Sequence, residues 1–139
     1  MTDFEKAKAM LAHHTCVLVK GNTVHASCKT GISPMLDWLE QGVELTGFSA
    51  ADKIVGKAAA LLFVLANVSE VYGEVMSEAG LAVLRQHHIP CSYNTLAPYI
   101  INRRGDGMCP MEQTIHTIDD PAVALPALLE ARRQLQARK

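Results

Sequence analysis

Three stretches of this chain hold residue types that can do chemistry. The first is Ala51-Asp52-Lys53-Ile54-Val55-Gly56-Lys57-Ala58. The run from Lys53 to Ala66 reads as a helix, which puts Lys53 and Lys57 on one face of its first turns. A helix start offers free backbone N–H groups, and with two ammonium groups beside them it can hold an anion. A desolvated lysine can also serve as base or nucleophile. The same residues suit an ordinary helix start, with Asp52 as the cap and both lysines reaching out to water. Gly56-Lys57 lacks the glycine spacing of a phosphate loop.

The second stretch is Ser77-Glu78, directly after a β-branched run ending at Met76. Ligands in open α/β sheets favour the carboxyl ends of strands, which makes this pair a candidate for binding. A cap and a first-turn acid account for it equally well. The third is the loop from Asn102 to Glu112, with Arg103, Arg104, Gly105, Asp106, Gly107 and Cys109 between. Arginine there can pair with phosphate or carboxylate. A thiol close to a helix start is a candidate nucleophile. The plain alternative is a surface turn with a half-buried cysteine.

The histidines argue against a metal. His13-His14 and His87-His88 are adjacent pairs, whose side chains diverge on any regular element. The chain has no HxE, HExxH or paired CxxC pattern, so neither a metal site nor another cofactor is expected.

These residues need a scaffold. Phe4, Ala7, Met10 and Leu11 recur at helical spacing, predicting a helix over about 3–13. Two β-rich runs around Gly21-Asn22 read as a hairpin. Ser33 and Pro34 open a helix that ends at Gly42. Residues 43–48 read as strand or extended connection, 68–76 as an inner strand, and 89–93 as a short last strand. Helices are expected from Ser77-Glu78 to His88, briefly after Pro110, and over about 121–138, where Pro126 marks a kink or the true start. Strands alternating with helices imply a three-layer α/β/α sandwich with a partly parallel sheet. The absence of a linker or repeat makes residues 1–139 one domain.

Composition narrows the function classes. The 139 residues are 49% apolar and 19% charged, with a formal net charge of -1, the profile of an ordinary globular domain. Such a charge gives no nucleic-acid footprint. No apolar run approaches the roughly 20 residues that cross a bilayer, and the first residues have no signal-peptide core. A soluble cytoplasmic protein is expected. Cys16, Cys28, Cys91 and Cys109 are too scattered for a disulfide scaffold and read as reduced thiols.

GISPMLDWLEQG, ADKIVGKAAALLFVLANV, VYGEVMSEA and YIINRRGDGMCPMEQTI resemble the signature stretches of a small bacterial family of uncharacterised proteins, assigned to the cytidine-deaminase-like superfamily. The resemblance runs from about Cys16 to Ile115. It implies a mixed sheet of about five strands with helices on both faces. Catalytic deaminases hold zinc with a His-x-Glu and a Pro-Cys-x-x-Cys at two helix starts. The resemblance puts the Asp52–Lys57 segment and Ser77-Glu78 in those places, without the zinc ligands. It implies a site in the cleft between the two helix starts. The matching positions are Asp52, Lys53, Lys57, Ser77, Glu78, Asn102, Arg103, Cys109 and Glu112.

The expected function is zinc-free binding or transformation of a small metabolite, nucleotide-like or anionic. For transformation, Lys53 or Lys57 would be base or anion holder, Cys109 the nucleophile and Arg103 a substrate clamp. The alternatives are a non-catalytic ligand-binding or regulatory module, and a self-association or docking domain using Trp38 and the terminal helix. A homodimer is compatible with all three.

Overall fold

A computed structural model describes residues 1–101, 105 and 107–138. In chain order its elements are α1 Asp3–Met10, β1 Cys16–Lys20, β2 Thr23–Ser27, α2 Ser33–Glu40, β3 Ser49–Val55, α3 Lys57–Ala66, β4 Glu70–Ser77, α4 Glu78–Gln86, β5 Cys91–Ala97, α5 Pro110–Thr114 and α6 Pro121–Ala137. The strands form one sheet in the order β2-β1-β3-β4-β5. β1 is antiparallel to β2 and β3, while β3, β4 and β5 run parallel.

The hairpin forms where the Gly-Asn pair predicts it. Gly21 takes φ +59°, the positive angle that a glycine-first tight turn requires. β1 is buried on both faces from Cys16 to Val19, because helices cover both sides of the sheet. On one face α1 sets Ala7 and Leu11 against Val17, Val19 and Ala51. On the other, Cys16, Leu18, Ala50 and Val71 meet apolar side chains of α2, α3, α4 and α6. These are the three layers of an α/β/α sandwich. α3 is the centre of the second core, with every residue from Ala58 to Phe63 buried. Its alanines let it press close to the sheet, and Asn67, in the left-handed conformation at φ 57°, ends it.

The largest departure from the sequence reading lies before α3. The segment read as one helix from Lys53 is a strand up to Val55, then Gly56 as the N-cap, then a helix from Lys57. Periodicity could not separate the two, because short apolar runs fit a buried strand and a buried helix alike. Pairing on both sides decides the matter: β3 is flanked by β1 and β4, and Lys53 N–H donates to the Thr15 carbonyl at 3.0 Å. Residues 43–48, read as strand or extended connection, form no strand. β5 is longer than expected, running on to Ala97. Ser33 is the first residue of α2 rather than its cap, and the cap position, Ile32, makes no side-chain bond. α6 starts at Pro121 and runs through Pro126.

Candidate functional site

The carboxyl ends of β3 and β4 lead directly into the starts of α3 and α4. The first backbone N–H groups of any helix lack partners within it. At α4 the Ser77 hydroxyl meets this need locally, accepting from Gly80 N–H at 2.9 Å. At α3 the cap is Gly56, which has no side chain to offer. Its place is taken from far along the chain. The Glu112 carboxylate accepts from Lys57 N–H through one oxygen and from Ala58 N–H through the other, each at 2.7 Å. Only 9% of Glu112 is exposed. Charge-assisted bonds to backbone N–H groups are short and strong, and the dipole at a helix start adds to them. The carboxylate therefore sits as a bound anion would.

Two glycines make this arrangement possible. A Cβ on Gly56 would overlap the Glu112 carboxylate and come 2.8 Å from Ile100 Cγ1. A Cβ on Gly80 would stand 2.8 Å from the Val55 carbonyl oxygen and 3.0 Å from the Gly56 backbone. The α3 and α4 starts thus meet backbone to backbone. Gly80→Ala is expected to destabilise the fold by about 1–3 kcal/mol, since neither backbone can yield. Chemical denaturation checks this, and a loss near zero would mean that the two starts can part.

Glu112 arrives on α5, which follows the segment after β5. Ile100 accepts from Cys109 N–H at 3.0 Å, and Ile101 bridges Met108. Lys57 contributes from its other end. Its ammonium donates to Asp119 Oδ1 at 2.8 Å and to the His116 carbonyl at 3.1 Å. The hydrogen bond and charge of Lys57 hold the Asp119 carboxyl below its ordinary value.

The structure thus brings together Lys57, Glu112 and the α5 start, where Cys109 is the half-buried N-cap residue. Ser77 stands at the adjoining helix start, buried and used as a cap. Other expectations need correction. Lys57 is not a free ammonium facing a pocket. Lys53 lies on a strand, so it shares no helix face with Lys57. Glu78 points to solvent from the first residue of α4. Asn102 and Arg103 lie outside the described residues. Among the described residues nothing hydrogen-bonds the Cys109 thiol, and no three His, Cys, Asp or Glu side chains come together as a metal site.

Asp52 is the largest displacement. It caps no helix. It sits inside β3, paired with Cys16 on one side and Gly73 on the other, with 4% of its surface exposed. Burial pushes its carboxyl up to about 8, against the pull of the Ile54 and Lys53 backbone N–H groups. Burial, and then the Asp52 charge, push the Cys16 thiol well up too. The sequence reading missed Gly56, Gly80 and Asp119. Nothing local marks Asp119, whose partner Lys57 is 62 residues away.

Residues 6–131 match the model of the TM1506 family, described as a domain of unknown function (DUF1893). The fold is similar to the crystal structure of a DUF1893 family protein (TM1506) from Thermotoga maritima, with a TM-score of 0.82 at 21% identity, covering 94% of this chain and 90% of that one. No curated protein matches the chain.

Proposed function

The chain belongs to the TM1506 (DUF1893) family, and on that premise we propose that it is a cytidine-deaminase-like protein that binds a small anionic, nucleotide-like metabolite without zinc. The ligand's anionic group takes the α3 N-terminus, where Glu112 stands in for it. One observation carries this reading: a buried carboxylate from a short distant helix is seated on two backbone N–H groups above a glycine. The mixed five-stranded sheet with helices on both faces supports the deaminase likeness. The site's place at the ends of parallel strands supports small-molecule binding.

Binding fits the geometry better than turnover. The Lys57 ammonium is engaged by Asp119, and Asp52 is enclosed in the sheet. Four free thiols fit a reducing, cytoplasmic setting. Among the described residues no helix is long and apolar enough to cross a membrane.

Titration with inorganic phosphate and a nucleoside monophosphate, followed by residue-resolved hydrogen exchange, tests the reading. The anion is expected to keep the Lys57 and Ala58 amides protected while exchange in α5 speeds up, because Glu112 is released. Binding that leaves α5 as protected as before, or no binding of any anion at millimolar concentration, overturns it. A nucleotide consumed over time would replace binding by turnover.

A further inference from the structure

Among the described residues β5 is the last strand of the sheet, and no strand lies on the outer side of its backbone. Its seven residues, CSYNTLA, include no charge and no proline. Pro90 and Pro98 bound it on either side. Tyr93, Asn94, Thr95 and Leu96 are all exposed. Exposed large apolar side chains gather in this part of the molecule: Tyr93 and Leu96 on the strand, Ile54 near the end of β3, and Tyr99 and Ile101 just after β5. The opposite edge strand, β2, has none. Proteins usually guard an open edge with lysine, proline or a bulge, because an unguarded one is a template for another strand.

We propose that β5 pairs antiparallel with β5 of a second copy of this chain, about a twofold axis at Asn94. In this register Asn94 faces its own copy, Tyr93 faces Thr95, Ser92 faces Leu96 and Cys91 faces Ala97. A twofold interface sets the residue on its axis against itself, so a charge at position 94 would meet its like. The neutral Asn94 avoids that clash.

The flanking helix identifies the occupant. α4 lies against β5. Its exposed Glu78 follows Ser77, the register partner of Ala97. Its exposed Arg85 stands by the other end of the strand, where its charge acts on Cys91. The twofold exchanges the two ends. Arg85 of each copy then approaches Glu78 of the other, with the exposed Ala82 between them leaving room for the helices. A foreign strand could satisfy the open backbone, but it would leave these two charges unmatched.

Analytical ultracentrifugation over a concentration series tests the proposal. The wild type is expected to dimerise. Asn94→Lys and Asn94→Asp should each raise the dissociation constant by roughly tenfold or more, through like charges at the axis. An equal mixture of the two variants should recover the dimer, because lysine then faces aspartate. Arg85→Glu should weaken the dimer, and Glu78→Arg with Arg85→Glu should restore it. A wild type that stays monomeric at the highest attainable concentration overturns the proposal. So does a dimer that Asn94→Lys leaves unchanged, or a mixture that stays apart.

Discussion

Glu112→Ala is expected to destabilise the protein by about 3 kcal/mol, or roughly 10 °C in Tm. The change removes two bonds from backbone N–H groups at 2.7 Å. It also leaves Ala58 N–H, whose bond to Glu112 is buried, without its partner. Leaving such a donor unsatisfied costs about 1–3 kcal/mol, and more where the lost acceptor is charged. Glu112→Gln should fall between, because one carbonyl oxygen can still accept. The distinctive part is rescue. Acetate, formate or phosphate should raise the Tm of the alanine variant well beyond that of the wild type, because in the wild type the anion must first displace Glu112. An anion at a hundred times its dissociation constant would return about 2.7 kcal/mol. Thermal melts with and without each anion decide the matter. A loss below about 1 kcal/mol, or a melt indifferent to anions, would show that the carboxylate is incidental.

Asp52→Asn should remove a stability loss that the wild type suffers as pH rises. The folded carboxyl titrates at about 8, against an ordinary value of 3.8. The folded state therefore binds the proton more tightly than the unfolded chain does. Stability is full below the ordinary value and falls as pH climbs towards 8, the reverse of a salt-bridged aspartate. Each unit in that window is worth about 1.4 kcal/mol, so the total is on the order of 5 kcal/mol by pH 8. Asparagine has the same shape as the protonated acid and no proton to lose. The difference between variant and wild type should be near zero at pH 4, grow through pH 6 and 7, and level off above 8. Taking the difference cancels the histidines and surface carboxylates common to both. Asp37 and Asp119 are shifted downward and act at lower pH. Urea unfolding across the series checks this. A constant difference from pH 4 to 9 would mean that Asp52 is charged and solvated.

What the sequence disclosed and what it hid divide along sequence separation. The Gly21-Asn22 turn, the Ser77 cap and the helix opening at Pro110 each depend on neighbours within a few residues, and all three form where expected. The strand–helix junction at Gly56 did not show itself. Alanine-rich residues fit either state, and the partners that make 49–55 a strand lie on β1 and β4. Asp52 was misplaced as a consequence. Glu112 was singled out by resemblance, but its amides are 55 and 54 residues away. The partner of Lys57 is 62 residues away. No local spacing encodes such pairs. The alternative association face at Trp38 and the terminal helix is partly taken up by the core. Trp38, Leu125 and Leu129 pack against the core, and Trp38 lies beside His25 with ring centres 5.8 Å apart.

The contact between Gly80 and the backbone at Val55 and Gly56 also fixes the direction of access. Two helix starts that touch through their main chains cannot separate like jaws without tearing α4 from the sheet. Whatever reaches the α3 amides must therefore enter from the opposite side, where a five-residue helix and one carboxylate hold the entrance. On the proposed reading, α5 is the door among the described residues, and the rate of entry would follow how often Glu112 lets go of its two amides.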